Sequence, residues 1–159
     1  MTKKPIIVYT DGACSNNPGG PGGWAATLNY DNRYDVLSGH SVSTTNNRME
    51  LTAVVEAIKY LVKKGYRKII INSDSAYVVN GFNKGWMHTW SMKDWKTKQG
   101  NEVANADLWK ELNKISNEGI ALVFNKVSGH SGHTFNEIAD KEAKKEVEYA
   151  KRLLQTKQL

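Results

Sequence analysis

The sequence predicts a single α/β domain built on a five-stranded mixed sheet, with three antiparallel strands first and two parallel strands later. Two observations support this prediction. The β-like runs at 23–30 and 34–40 follow a strand-like run at 5–10 with only loops between them. The later apolar runs at 67–73 and 120–127 each follow a helical pattern. Short loops join antiparallel strands, whereas parallel strands need crossover connections, so we expect a mixed sheet flanked by helices.

The N-terminal third of the chain supplies the three antiparallel strands. PIIVYT, at 5–10, is rich in β-branched residues, and we expect this strand to stop at the turn dipeptide Asp11-Gly12. A loop rich in Gly, Pro and Asn follows. The polar pair Asp31-Asn32 then separates the next two β-like runs as a hairpin turn would.

Helical patterns and buried strands alternate in the rest of the chain. The first helix has Thr44, Thr45 and Asn46 as candidate N-caps and ends at Gly65. The continuous apolar run RKIIINS predicts a buried strand, after which Asp74-Ser75 opens a short helix. The other predicted elements are a helix at 106–117, a strand at 120–127 and a last helix at 134–154; the segment 84–104 is predicted to be irregular, with Trp86, Trp90 and Trp95 among lysines.

Length, charge and cysteine content narrow the classes of protein. A chain of 159 residues fits one domain with its own core. No apolar run approaches the roughly 18–20 residues that span a bilayer. The N-terminal residues contain no apolar signal segment, and Cys14 is the one cysteine, so we expect a cytoplasmic protein. The net charge of +6 fits either simple solubility or a polyanionic partner such as nucleic acid.

Glu50 occupies an unusual place in the first predicted helix. On a helical wheel it falls within the broad apolar stripe that includes Val54, Ala57 and Ile58. A carboxylate that points toward the core is costly to bury unless another group compensates its charge. We therefore expect Glu50 to face such a group.

Four carboxylates are candidates for a shared site because of where they fall in the predicted elements. Asp11 and Asp74 follow strands that we expect to be neighbours, Glu50 projects from the helix that crosses the sheet, and Asp140 lies on the last helix. Functional groups in open α/β sheets gather beyond the strand ends. Converging carboxylates repel one another unless a cation neutralises them, and oxygen ligands favour Mg²⁺ or Mn²⁺.

Three of these acids also have an ordinary structural explanation. Asp11 could belong to a turn, Asp74 could cap the short helix, and Asp140 could pair with Lys144 one turn later. Glu50 has no comparable explanation. On the last helix Asp140 sits at the edge of the apolar stripe, whereas Asn136 lies squarely within it.

The histidines allow two interpretations. His130 and His133 have the spacing of half a zinc site, but no cysteines lie near them, and structural zinc usually has four nitrogen or sulfur ligands. His130 lies in a Gly-flanked loop just before the helix that carries Asp140. A histidine there could transfer a proton beside a metal centre, whereas His133 is better explained as structural.

Five segments together resemble bacterial ribonuclease HI, of the type 1 ribonuclease H family. These segments are YTDGACSNNPGGPGGW, TTNNRMEL, SDSAYV, DLWKEL and VSGHSGHTFNEIADKEA. Their order and spacing agree with the family over about residues 5–150. The resemblance implies a ribonuclease H-like fold, a single domain over 1–159 with a basic, Trp-containing protrusion at about 84–104, and a monomer without an obligate protein partner.

The resemblance also implies an activity and a set of catalytic residues. The family hydrolyses the RNA strand of RNA–DNA hybrids endonucleolytically with two Mg²⁺ ions, with Mn²⁺ as an alternative, leaving 5′-phosphate and 3′-hydroxyl ends. The family's metal-binding carboxylates match Asp11, Glu50, Asp74 and Asp140, and its mobile catalytic histidine matches His130. Asp11 is then the candidate bridge between the ions, and Asp74 the candidate to orient the attacking water.

The resemblance assigns substrate contacts as well. Each has a structural alternative: Asn46 could cap its helix, Cys14 could pack, and the tryptophans could form the apolar base of the protrusion. The protrusion is also less basic than in many relatives, because acids partly offset its lysines. The implied contacts are Cys14, Asn17, Asn46 and Asn47 in the minor groove and on the RNA strand, Thr45 and Asn105 in a pocket for a DNA phosphate, and Trp86 and Trp90 in the protrusion.

Three other functions remain open at the level of sequence. A non-catalytic hybrid-binding module would keep the basic Trp segment and lose acids, yet all four acids are present. Another nuclease on the same fold usually carries additional DNA-binding segments. A purely structural protein would explain the charged outer side of the last helix, but it would not explain Glu50.

Overall fold

The computed structural model describes residues 4–129 and 134–157. Within these ranges no helix is long and apolar enough to cross a membrane. The strands are β1 (Ile6–Cys14), β2 (Gly22–Asn29), β3 (Tyr34–Ser41), β4 (Lys68–Ser73) and β5 (Ala121–Lys126), and the helices are α1 (Asn46–Lys63), α2 (Ala76–Asn83), α3 (Trp86–Met92), α4 (Ala106–Ser116) and α5 (Thr134–Lys157).

The five strands form one mixed sheet in the order β3-β2-β1-β4-β5. β1 pairs antiparallel with β2, and β2 pairs antiparallel with β3. β4 runs parallel to β1 on its other side, and β5 runs parallel to β4. The predicted fold, with antiparallel strands first and parallel strands later, is therefore confirmed.

The predicted end of β1 is wrong. The strand was expected to stop at a turn formed by Asp11 and Gly12, but it continues to Cys14. Its pairing with β2 extends to Cys14 opposite Gly22, which holds the backbone extended. Its parallel pairing with β4 ends earlier, at Thr10 opposite Ser73. Asp11 therefore lies within β1, at the point where β4 has already ended beside it.

Helices α1 and α5 cover opposite faces of the sheet. A Cβ atom on Gly22 would contact Thr44 and Met49 at the start of α1, whereas one on the next residue, Gly23, would contact Ala143 and Glu146 of α5. Successive residues of a strand face opposite sides. The larger core lies under α1, where Leu51, Val54, Ile58, Leu61, Val8, Leu28 and Ile71 are all fully buried.

The starts of α1 and α2 are each fixed by a local hydroxyl cap. Among the three candidate caps of α1, Thr45 is the N-cap, and its Oγ1 accepts a hydrogen bond from the backbone N–H of Arg48 at 3.1 Å. Ser75 caps α2 in the same way, through the N–H of Val78 at 3.2 Å. Asp74, which was a candidate N-cap for this short helix, therefore does not cap it.

The segment 84–104 is more ordered than predicted. It contains the seven-residue helix α3 and an isolated bridge between Lys96 and Glu102. Met87 of α3 is buried, and the Trp90 ring lies 5.5 Å from that of Trp109 in the core. So short a helix is marginal without tertiary packing, which is why its own sequence did not predict it.

Candidate active site

Three carboxylates from separate parts of the chain meet beside the end of β4. Asp11 comes from β1, Glu50 from the second turn of α1, and Asp74 from the residue after β4. One oxygen from each of these carboxylates lies within 4.8 Å of the others. The alternation of β1 places Asp11 on the sheet face opposite α1. Glu50 can reach it because β1 has no parallel partner beyond Thr10.

Gly12 allows α1 to approach β1 closely. A Cβ atom at this position would lie 2.4 Å from the backbone nitrogen of Glu50 and 2.6 Å from the carbonyl carbon of Met49. Real Cβ atoms do not come that close to backbone atoms. The backbone N–H of Gly12 also donates a hydrogen bond of 2.9 Å to Oδ1 of Asp11. Gly12 thus brings Glu50 beside Asp11 by packing, not by forming a turn.

Asp140 lies next to this group, on the side of Asp11. It is not one of the three closely spaced acids, but it lines the small cavity that also contains Asp11 and Asp74. Its Oδ2 is 3.0 Å from Nζ of Lys144. The i,i+4 ion pair considered for this residue is therefore present, and Asp140 faces the acidic cavity as well.

Two further side chains of α5 line the same cavity, Asn136 and Glu137. The apolar stripe had placed Asn136 on the buried face of its helix, and Asn136 is buried in the structure. No role at the site was predicted for it. Asn136 lies one turn before Asp140 on the same helix, and its amide falls on the predicted buried face. These two features of the sequence would have identified Asn136 as a candidate site residue.

Burial and mutual repulsion disfavour ionisation of the two innermost acids. Burial is the largest cause that raises the pKa of Asp11 to about 7, followed by its hydrogen bond with Asp140 and the charge of Asp74. Burial also raises the pKa of Glu50 well above its usual range, and the charges of Asp11 and Asp74 add to that effect. The N–H of Gly12 opposes both shifts only in part. A bound cation would relieve this repulsion.

The residues present fit a hard divalent cation. Glu50 is only 9% exposed, and its Oε2 is buried without a hydrogen-bond partner among the described residues. A buried carboxylate oxygen without a partner is costly, and a metal ion would supply the missing partner. All three donors are carboxylates, the ligands that Mg²⁺ and Mn²⁺ prefer. His130 and His133, considered for zinc or proton transfer, lie outside the described residues.

We expect the metal-free protein to lose stability through this site as the pH rises. The pKa of Asp11 is about 7 in the folded protein and near its ordinary value of 3.8 when unfolded. The folded state therefore binds the proton more tightly, and the stability that this binding contributes is present below about pH 4 and lost by about pH 7. Thermal unfolding in EDTA, compared between wild type and Asp11→Asn, measures the effect.

Because the variant lacks this titration, its gain in melting temperature over wild type should grow between pH 4 and 7 and then level off. A gain that is independent of pH would contradict the raised pKa of Asp11.

A groove of about 480 Å³ adjoins the carboxylates and contains several of the predicted substrate contacts. Cys14, Asn46 and Asn47 line it together with Glu50 and Asp74. Cys14 is held in place because its thiol lies 3.4 Å from the carbonyl oxygens of Gly20 and Thr44, as the packing alternative proposed. Asn46 and Asn47 are exposed on the first turn of α1, after the cap residue.

The remaining predicted contacts lie on both sides of this groove. Asn17 is exposed, and its Oδ1 accepts a hydrogen bond of 3.0 Å from the backbone N–H of Asn46. Thr45 and Asn105 are linked through Arg48, which donates its backbone N–H to Thr45 and its guanidinium to Asn105 Oδ1 at 3.3 Å. Arg48 thus contacts both residues of the predicted phosphate pocket.

The tryptophans of the predicted protrusion divide into two environments. Trp86 is 38% exposed, and its ring lies 6.4 Å from that of Trp90. Trp90 packs against the core through Trp109, together with the half-buried Trp95. Trp90 and Trp95 form the apolar base of the segment, and Trp86 is the ring that it presents to solvent.

Comparison with known proteins gives consistent matches over nearly the whole chain. The RNase H family model matches residues 3–148. Ribonuclease H of Chlorobium luteolum is 44% identical over 146 residues, covering 92% of this chain and 97% of that protein. Ribonuclease H of Syntrophomonas wolfei is 47% identical over 141 residues, covering 89% of this chain and 94% of that protein.

Solved structures share the same fold. LC9-RNase H1, a type 1 RNase H with the type 2 active-site motif, superposes with a TM-score of 0.82 at 30% identity, over 94% of this chain and 75% of that chain. LC11-RNase H1 in complex with an RNA/DNA hybrid has a TM-score of 0.68 at 22% identity, over 91% of this chain and 98% of that chain. From its sequence, its sheet topology and its acidic site, this chain belongs to the ribonuclease H family of metal-dependent endoribonucleases.

Proposed function

We propose that this protein cleaves the RNA strand of RNA–DNA hybrids endonucleolytically with two divalent metal ions, leaving 5′-phosphate and 3′-hydroxyl ends. The observation that carries the proposal is the convergence of Asp11, Glu50 and Asp74 within 4.8 Å, with a buried Glu50 oxygen that lacks a partner among the described residues. Family membership supports the substrate, and one structural neighbour was solved with an RNA/DNA hybrid bound.

Asp11, Glu50 and Asp74 would hold the metal ions, with Asp140 beside Asp11 completing the acidic set. When bound, two Mg²⁺ ions would supply the charge that activates water for in-line attack and stabilises the leaving 3′ oxygen. Asp74 borders both the acidic cavity and the open groove, which supports a role for it in orienting a water molecule against a phosphate bound in the groove. We assign help with the departure of product to Asp140 and His130, with His130 as a proton shuttle, on the resemblance alone.

Recognition of the hybrid would use the groove beside the metal site. Asn17, Asn46 and Asn47 offer amide groups that can bind the 2′-hydroxyl groups of the RNA strand, together with Cys14. Thr45 and Asn105 would bind a phosphate of the DNA strand at the start of α1, whose first turn contains no acidic residue. A helix N-terminus without acids favours an anion. Trp86, with Trp90 beneath it, would contact the duplex farther along, and we propose that the protein acts as a cytoplasmic monomer.

Asp74→Asn tests the proposed chemistry directly. We expect cleavage of a labelled RNA–DNA hybrid in Mg²⁺ to fall by at least about a hundredfold, because the amide is a poor metal ligand and carries no charge. Asp31→Asn is the matched control, since Asp31 is 70% exposed and pairs with Lys4 away from the site. It should cleave at the wild-type rate.

Equal rates for Asp74→Asn and wild type would remove Asp74 from the chemistry. Tight binding of the hybrid by wild-type protein without any cleavage in Mg²⁺ or Mn²⁺ would instead support a non-catalytic hybrid-binding module. Cleavage of double-stranded DNA or junction DNA in preference to hybrid would favour another nuclease on this fold.

A further inference from the structure

The hydroxyl group of Tyr77 lies at the centre of a hydrogen-bond network between the groove and the core. Its oxygen accepts one hydrogen bond from Nδ2 of Asn105 at 3.1 Å and another from the indole N–H of Trp109 at 2.9 Å. Its own proton points to the carbonyl oxygen of Ala104 at 3.5 Å. Trp109 is fully buried, and its ring packs edge-on against Tyr77, so the Tyr77 oxygen is held from the core side.

Asn105 is held from the opposite side by a charged group. Its Oδ1 accepts a hydrogen bond of 3.3 Å from the guanidinium of Arg48. Arg48 is fixed in turn by two hydrogen bonds to the carboxylate of Asp107, at 3.0 and 2.6 Å. The amide of Asn105 therefore has a donor on its oxygen side and an acceptor on its nitrogen side. Turning the amide over would place its N–H groups against the cationic Arg48 and break both contacts.

Asn105 is not occupied in capping its own helix. It precedes α4 with φ 58° and ψ 29°, in the left-handed region, and its side chain makes no capping hydrogen bond. Asparagine tolerates that conformation better than most residues. An NH₂ group has two protons, and Tyr77 accepts only one of them. The second proton remains to donate to a ligand, in a direction that Tyr77 and Arg48 set together.

We propose that Tyr77 is a positioning residue that orients the Asn105 amide so that its second N–H donates to a phosphate of the DNA strand. The inference rests on the proposed function, since it requires the phosphate pocket at Thr45 and Asn105. Tyr77 also lines the groove that contains Glu50 and Asp74. Its helix, α2, begins two residues after Asp74, with Ser75 as the N-cap between them. The same short helix therefore lies next to both the proposed phosphate pocket and the acidic site.

The first test is Tyr77→Phe, which removes the hydroxyl and keeps the ring. We expect KM for an RNA–DNA hybrid to rise by about five- to twentyfold, the effect of losing one oriented hydrogen bond to a charged group. The kcat should change by less than about threefold, because no metal ligand is altered. A purely structural role would lower the melting temperature and leave KM unchanged, whereas an equal fall in kcat and kcat/KM would place Tyr77 in the chemistry instead.

A double-mutant cycle with Asn105→Ala shows whether Tyr77 acts through Asn105. If it does, Tyr77→Phe will raise KM in the wild-type background but not in the Asn105→Ala background. Additive effects would overturn the proposal. If Tyr77→Phe folds poorly because the Trp109 N–H loses its acceptor, 3,5-difluorotyrosine at position 77 keeps the oxygen. At a pH where its more acidic phenol stays protonated it is a weaker acceptor, and a smaller rise in KM is then expected.

Hybrids with one neutral methylphosphonate at successive positions of the DNA strand separate this inference from the function on which it rests. Wild type should show one position where loss of the phosphate charge raises KM, and Tyr77→Phe should lose that sensitivity. If wild type has no sensitive position, the phosphate pocket itself is wrong. If wild type has one and Tyr77→Phe keeps it undiminished, the pocket stands and the role of Tyr77 is wrong.

Discussion

Replacing Asp11 with Asn is expected to abolish hybrid cleavage and, at the same time, to stabilise the metal-free protein. Asp11 lies close to Glu50 and Asp74 and is hydrogen-bonded to Asp140, so it is our candidate to hold both of the proposed metal ions. Loss of that ligand removes several kcal/mol of charge stabilisation. At about 1.4 kcal/mol for each tenfold change in rate, we expect cleavage to fall by at least about a thousandfold.

The same substitution removes a charge that the folded protein holds at a cost. The pKa of Asp11 is raised chiefly by burial, which shows that the folded state disfavours its ionised form. The amide of the variant can still accept the N–H of Gly12, and its NH₂ group can donate to the carboxylates of Glu50 and Asp140. We expect about 1–2 kcal/mol of added stability at pH 7, or a rise in melting temperature of about 2–8 °C.

Cleavage of a labelled hybrid in Mg²⁺ and thermal unfolding in EDTA measure these two effects on one variant. Asp31→Asn, which makes the same chemical change on an exposed residue in the turn between β2 and β3, should alter neither. A melting temperature that falls or does not change in Asp11→Asn would mean that the carboxylates are not held against one another. Retained cleavage would exclude Asp11 as a metal ligand.

Gly12→Ala is expected to be the most disruptive single-methyl substitution at the site. The added Cβ would lie 2.4 Å from the backbone nitrogen of Glu50, where no flexible side chain can move aside. Strand β1 and helix α1 must therefore separate. We expect a loss of about 3 kcal/mol or more in the free energy of unfolding, which lowers the melting temperature by about 6–12 °C.

Cleavage by Gly12→Ala should also fall by on the order of a hundredfold, because the shift moves Glu50 away from Asp11 and misplaced catalytic groups lose rate steeply. The matched control is Gly39→Ala in β3, where the three atoms nearest to the added Cβ would all belong to the ring of Trp24. That variant should lose stability without losing kcat. Wild-type cleavage by folded Gly12→Ala would show that close packing at Gly12 does not position Glu50.

The periodicity of the sequence was enough to predict most of the fold. The order of strands and helices, the mixed sheet and the boundaries of α1 depend on hydrophobic period, turn residues and caps, all of which are local properties of the chain. The same reasoning placed Glu50 on a buried face, and the structure shows it 9% exposed with an oxygen lacking a partner among the described residues. The helical pattern alone identified Glu50 as unusual, because an acidic residue is not expected among the apolar residues of a buried helix face.

Only the tertiary structure decided how these pieces meet. Asp11-Gly12 has the composition of a turn, yet pairing with β2 keeps it in a strand and close packing against α1 requires its glycine. The short helix α3 exists because Met87 and Trp90 pack on the core. The bonds that orient Asn105 join residues 28 and 57 positions away in the chain. Period and propensity extend over a few turns, whereas contacts between distant segments arise only when the whole sheet and its helices have packed.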